Sequence, residues 1–263
     1  MGAAKVLYVT HEPGQWHEYT PQLKAFKEQI APKAGWDITV ITGDYDEVIE
    51  QLKKRNFAKG FDAIIYNYCF AQSDDLEACA NIMRQTRNGG VPAMLIHCSM
   101  HSWWGTYKSG EKGAIGEKYN GKALANPELV AKWKKDNGDK RFPAYGDFTG
   151  VASVRHGKKL PITLRKVGDH PATQDLEDGY ATPHTELYNN QYVLKRVVPI
   201  LKGSQEGEED AIVMWTCPQG KSQIMGLSLG HGAVGDGPDE WDTPEFQGLV
   251  INGVNYLIDH PKP

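Results

Sequence analysis

Over the first hundred residues, short apolar runs alternate with stretches whose apolar positions recur every three or four residues, the pattern of strand–helix repeats. The runs Lys5–Thr10, Asp37–Thr42, Asp62–Asn67 and Val91–Ile96 predict strands, and Tyr19–Ala34, Tyr45–Arg55 and Asp74–Arg87 predict the helices between them, the last capped by Ser73. These strands are apolar at nearly every position rather than at alternate ones. Such strands are buried on both faces, as in a parallel sheet covered by helices. The expected fold is α/β, a doubly wound, mainly parallel sheet of the flavodoxin-like kind, in which ligands bind beyond the carboxyl ends of the strands.

Beyond residue 101 the pattern changes. Residues 102–150 are rich in Gly and Lys around one helical stretch, Pro127–Asn137, and read as an insertion over the strand ends that could act as a lid. Val151–Val167 alternates like an antiparallel hairpin turning at Gly157-Lys158-Lys159, which gives the sheet an antiparallel extension. Ala211–Trp215 and Ser222–Leu229 complete the strands, joined by a turn at Cys217-Pro218-Gln219-Gly220. The last helix is Pro244–Asp259, with Thr243 as its N-cap and Pro244 where its missing N–H costs little. There is no internal repeat, and one domain spanning 1–263 accounts for the pattern.

Composition narrows the function. The chain has 263 residues, 40% hydrophobic and 24% charged, with a formal charge of -4, so it should fold as a globule and offers no electrostatic footprint for nucleic acid. No apolar run approaches the roughly 20 residues of a membrane span. Cys69, Cys79, Cys98 and Cys217 are widely spaced without a Cys-x-x-Cys pair, which suits reduced thiols. A cytoplasmic location is expected, or a periplasmic one if a leader has been removed. No Gly-x-Gly-x-x-Gly or Walker motif is present, so no nucleotide cofactor is expected.

Histidines at predicted strand exits carry the candidate chemistry. His97 and His101 leave the fourth strand four residues apart, on one face of a helical turn, a spacing that suits one divalent metal ion, zinc or similar. The plainer alternative is that one packs while the other lies at the surface. His231 follows the last strand next to Gly232, and His17 and His11 compete for the loop after the first strand. His184 and Glu186 lie two apart, on one side of an extended segment. Trp16, Trp103, Trp104 and Trp241 offer faces for sugar stacking or for packing. His156 and His260 read as surface residues, and His170 as shaping a turn before Pro171. Cys98 occupies a strand-to-helix elbow, but without the small flanking residues such an elbow requires, so a buried structural thiol is the preferred reading.

In order along the chain, His17 after Val6–Val9, Gly60-Phe61-Asp62, Gly90-Val91-Pro92 leading to His97, His170-Pro171-Ala172-Thr173, Thr185-Glu186-Leu187-Tyr188, Leu229-Gly230-His231 and Pro244-Glu245-Phe246 resemble the ThuA-like (trehalose utilisation) branch of the class I glutamine amidotransferase-like superfamily. The resemblance implies a role in carbohydrate metabolism with a small sugar as partner, a keto-sugar or glycoside of the trehalose or 3-keto-glycoside type. It also tells against glutamine hydrolysis, because Ala233 stands where the superfamily's triad has glutamate. The reaction expected is isomerase, lyase or hydrolase chemistry beside a carbonyl, with His17, His97 and His231 holding metal or an oxyanion, Glu186 as acid/base, His101 assisting, and Trp16, Trp103, Trp104 and His184 binding substrate. The alternatives are a non-catalytic carbohydrate-binding or regulatory protein and a Cys98-dependent amidase. A homo-oligomer is compatible with all three.

Overall fold

The computed structural model describes residues 2–107, 118–119, 122–123 and 126–262. Numbering strands of four residues or more, β1 (Lys5–Val9), β2 (Asp37–Ile41), β3 (Ala63–Tyr66) and β4 (Ala93–Ile96) are followed by β5 (His156–Leu160), β6 (Thr163–Lys166), β7 (Thr185–Tyr188), β8 (Val198–Ser204), β9 (Ala211–Gln219) and β10 (Ser222–Leu227). Eight of them form one sheet in the order β2-β1-β3-β4-β10-β9-β8-β6. The first five run parallel, and β9, β8 and β6 extend the sheet by antiparallel pairing. This is the doubly wound, mainly parallel sheet with an antiparallel extension.

The double burial of the strands can be followed residue by residue. In β1, Leu7 and Val9 join one core with Val48, Leu52 and Ile82 of the helices Tyr45–Lys53 and Leu76–Arg87. Val6 and Tyr8 point the other way, into a core with Phe26, Ile30, Val250 and Val254. In β4, Leu95 and Ile96 divide between the same two cores. Apolar residues at successive positions are therefore required, since each face of the sheet is dry.

Four local expectations are corrected. The helix after β1 contains a π-helical turn, Phe26–Ile30, before Ala31–Ala34, because Pro32 has no N–H to continue the i→i−4 ladder. The helix Leu76–Arg87 is capped by Asp75, whose carboxylate accepts from the Ala78 N–H at 2.9 Å, while Ser73 accepts from the Asp75 N–H and the Tyr45 hydroxyl. The predicted Val151–Val167 hairpin does not form: Gly157 lies within β5, which pairs with β7, and β6 pairs with β8. Cys217-Pro218-Gln219 belongs to β9 rather than to the turn, which tightens to Gly220-Lys221. The final helix starts as read, the Thr243 hydroxyl accepting from the Phe246 N–H at 3.3 Å.

Of the 102–150 lid expectation, residues 108–117, 120–121 and 124–125 fall outside the described residues. Within them, Tyr145 and Phe148 are fully buried in the core shared with β3 and β4, so residues 145–149 are part of the domain's interior. No helix of the described residues is long and apolar enough to cross a membrane.

Candidate functional site

Three side chains from segments that follow strands of the main sheet, and a fourth from within β7, meet at the carboxyl ends of the parallel strands. The loop after β1 brings His17, and the Glu12 carboxylate holds this loop by accepting from the Gly14, Tyr19 and Thr20 N–H groups at 2.7–3.0 Å. Glu12 thereby satisfies the first N–H groups of the following helix, which its own N-cap residue, Glu18, leaves unbonded.

His97 is the first residue after β4 and has φ 46°, a left-handed conformation unusual for any residue but glycine. The strained elbow is thus at His97, not at Cys98. The His97 Nδ1–H donates to the Ser228 carbonyl at 2.7 Å, which leaves the Nε2 lone pair facing the cluster. The Tyr188 hydroxyl donates to that Nε2 at 3.0 Å. His231 follows Gly230, whose φ of 107° and close approach to Ile96 leave no room for a side chain.

The three imidazoles form a triangle with ring centres 4.7 Å (His17–His97), 4.9 Å (His17–His231) and 5.6 Å (His97–His231) apart. Glu186, on β7, is the hub beneath them. Its Oε2 lies 3.6 Å from His97 Nε2, and its Oε1 lies 3.5 Å from His231 Nε2, 3.6 Å from His156 Nε2 and 3.7 Å from Lys159 Nζ. Among the described residues, the donor atoms of His17, His97 and Glu186 all fall within 4.8 Å of one another, near enough to share one ion.

Electrostatics prepare these groups as ligands. Burial, together with His97 and His231 nearby, pushes the His17 imidazole down to about 2, so it stays neutral with a free lone pair. Its Nδ1 is buried without a hydrogen-bond partner among the described residues. Burial also lowers His97, against the pull of Glu186. Burial alone would raise the Glu186 carboxyl, but hydrogen bonding and charge from His231 and His97 outweigh it and hold the carboxyl far below its ordinary value. Neutral histidines beside an ionised carboxylate are the donor set of a His₂Glu zinc site.

The other candidates divide. His101 is buried against Tyr188, which stacks on both His101 (4.0 Å) and His97 (4.7 Å). His11 accepts the Cys69 N–H through Nε2 and packs on Tyr19 and Phe70, leaving His17 as the loop's contribution to the cluster. Trp103 is not a stacking platform: it is fully buried against Phe70 and Tyr145, because its indole N–H is drawn inward to the Asp75 carbonyl. His184 is exposed, two residues from Glu186 along a chain that enters the buried β7 only at Thr185. Trp16 is also exposed, and Trp104 is half-buried beside His101. Cys98 is buried against the Cys69 thiol, and burial pushes its pKa up, which suits a structural thiol rather than a nucleophile.

Three participants escape sequence reading. His156 and Lys159, half-exposed on β5, reach Glu186 because β5 pairs with β7 and not with its neighbour in sequence. Glu240 is fully buried, and its Oε2 accepts from the Gly230 N–H (2.8 Å), the His231 N–H (3.1 Å) and the Thr185 hydroxyl (3.0 Å). This carboxylate ties the His231 turn to the strand carrying Glu186. Burial raises it to about 7 despite those donors. In sequence it looks like one of several acidic residues before a helix, where negative charge is ordinary.

Glu240→Ala strands three buried donors, and urea denaturation should show a loss of about 3 kcal/mol, at the upper end for unsatisfied buried groups. Glu240→Gln keeps an acceptor oxygen and should recover more than half of that. Equal losses for the two variants would refute the latching role.

No protein-family model and no curated protein sequence matches the chain. Solved structures do. A protein from Bacteroides uniformis described as ThuA-like superposes with a TM-score of 0.66 at 13% identity, covering 99% of this chain and 94% of that one. A ThuA-like counterpart from Parabacteroides merdae gives 0.64 at 14% identity, covering 97% and 90%. A Thermoplasma acidophilum protein described as part of a GMP synthase gives 0.52 at 10% identity, covering 99% and 96%. The chain therefore has the fold shared by proteins described as ThuA-like and by one described as a GMP synthase subunit.

Proposed function

We propose that this chain is an enzyme of carbohydrate metabolism that moves a proton beside the carbonyl of a keto-sugar or its glycoside, at a divalent metal centre held by His17, His97 and Glu186. The observation that carries the metal centre is the convergence of two neutral imidazoles and one ionised carboxylate, all with donor atoms within 4.8 Å. The sugar rests on the likeness to ThuA-like structures.

The roles of Glu186 and His231 exchange relative to expectation. Glu186, held strongly ionised, is a poor base and a good ligand. His231 stands beside it, its Nε2 3.5 Å from Glu186 Oε1 and its Nδ1 without a hydrogen-bond partner among the described residues, placed to take a proton from carbon and return it. A divalent ion, when bound, supplies Lewis-acid charge to the substrate carbonyl oxygen. Tyr188 stacks on the His97 ring and would release its hydrogen bond to Nε2 when that lone pair takes the ion, and the Ser228 carbonyl fixes the tautomer. His156 and Lys159 line the solvent side of Glu186 and would meet the polar face of a sugar.

The purified protein is expected to carry about one divalent ion per chain, and chelator dialysis should abolish turnover of 3-keto-glycosides in a zinc-reversible way. Elemental analysis without an ion, combined with full turnover in chelator, would remove the metal reading. Sugar binding with no product formed would leave a carbohydrate-binding protein instead. Cys98→Ala should retain turnover, and its inactivation would restore the amidase reading.

A further inference from the structure

A concave region lies along the helix Leu76–Arg87. It is a cleft of about 1520 Å³ bounded by that helix, the helix Pro127–Asn137, residues 140–143 and the β9–β10 turn. Eight lysines and arginines line it against four aspartates and glutamates, although the whole chain carries a net charge of -4. The charges are also unevenly spread. At one end Lys53 pairs with Asp75 at 2.7 Å and Lys132 with Asp74 at 3.2 Å, leaving no excess. At the other end, beside Gln219 and Gly220, Arg87, Arg141 and Arg196 converge on a single residue, Asp147.

The donors crowd the Asp147 carbonyl, while Asp147 Oδ1 is buried without a hydrogen-bond partner among the described residues. Arg87 Nη2, Arg196 Nη2 and Gln219 Nε2 all donate to the Asp147 carbonyl, which has two lone pairs. Arg141 Nη2 donates to Asp147 Oδ2 at 2.9 Å. Three guanidinium groups thus face one carboxylate. Burial and the nearness of Arg141 and Arg196 push Arg87 down to about 10, the mark of crowded positive charge. Guanidinium forks in a concave, positively charged setting match the oxygens of a phosphoryl group. Met83, Trp133 and Phe142 add an apolar wall to the same cleft.

We propose that the arginine end of this cleft binds a small phosphate monoester, with its phosphoryl group on Arg87, Arg141 and Arg196 and its organic body along Trp133 and Phe142. The concavity favours a small molecule over a nucleic-acid strand, which would need a continuous basic track; here the track ends at the paired Asp74 and Asp75. The site lies at the end of the parallel strands opposite the histidines, since the Lys221 N–H bonds the Arg87 carbonyl at the amino end of β10. It stands independently of the proposed reaction.

Calorimetric titration with glucose 6-phosphate, inorganic phosphate and glucose, at constant ionic strength set with chloride, tests this. The monoester should bind with a Kd of about 1 mM or tighter, inorganic phosphate more weakly, and glucose not at all. The double variant Arg141→Gln/Arg196→Gln changes two exposed side chains and should fold; it should weaken the monoester at least about tenfold while zinc binding stays unchanged. Arg87→Gln should do the same, and the exposed pair decides the matter if that variant does not fold. If the arginines only brace Asp147, the double variant lowers Tm in phosphate-free buffer and leaves any phosphate response intact, which overturns the proposal. Absence of monoester binding overturns it as well, as does binding of single-stranded RNA alone. Equal affinity for inorganic phosphate overturns the role given to Trp133 and Phe142.

Discussion

Glu186→Gln should lower keto-sugar turnover by about 10³-fold, within the range for groups that act directly on charge in a transition state. The substitution keeps the shape of the side chain and removes its charge. Glu186 is the one acid within reach of His97, His231, His156 and Lys159 together among the described residues, so its loss leaves an ion with two neutral ligands and the base His231 without its neighbour. Zinc affinity measured by competition should fall along with turnover. The chain should still fold, because β7 is held by its pairing with β5 and by the Thr185 link to Glu240. Turnover within about twofold of the parent would mean that the chemistry lies elsewhere.

The metal-free protein should be acid-labile well above the range where ordinary carboxylates titrate. His17 is pushed from 6.5 to about 2 in the folded chain, so the unfolded chain binds the extra proton as the pH falls. By linkage, stability is then complete above about pH 6.5 and declines below it. At about 1.4 kcal/mol per pH unit, His17 alone accounts for about 3 kcal/mol by pH 4. His97, also lowered, and His11, lowered to about 4, act with the same sign, and Glu186 adds to it below its ordinary value of 4.5, while Glu240, raised to about 7, binds its proton in the folded chain first and opposes them between pH 7 and 4.5. Chelator-treated protein should lose Tm between pH 6.5 and pH 4, and His17→Gln should flatten that slope, whereas Glu240→Gln should steepen it. A Tm independent of pH over this interval would show that the imidazoles take up protons without cost.

The parallel half of the fold is legible because its strands obey one strong rule: a sheet buried on both faces needs apolar residues throughout, and Val6–Val9, Ala63–Tyr66 and Ala93–Ile96 supply them. The strand-end rule then points to His17, His97 and His231, and these side chains do meet. The antiparallel half is less legible. Val198–Ser204 mixes proline, lysine and glycine, and its register with β9 shifts twice, so no alternation survives to be read. Val151–Val167 has local hairpin chemistry, but its strands find distant partners, which local turn rules do not register. The site's missing members follow from that same non-locality. His156 and Lys159 become neighbours of Glu186 only through the β5–β7 pairing, and Glu240 only through the fold of the loop beyond His231. Trp103 shows the converse, an aromatic residue beside a histidine in sequence that turns away from it into the core.

The left-handed turn at His97 reaches beyond the present chemistry. Its backbone, between β4 and a short helical turn, aims whatever side chain it carries at the strand ends where His17 and His231 wait. The fold thus provides a mounting point whose occupant can be exchanged without rebuilding the frame. With a sulfur there instead of an imidazole, the same scaffold would present a nucleophile to a neighbouring histidine. A covalent role would need more than that one exchange, since Ala233 supplies no carboxylate to the histidine before it.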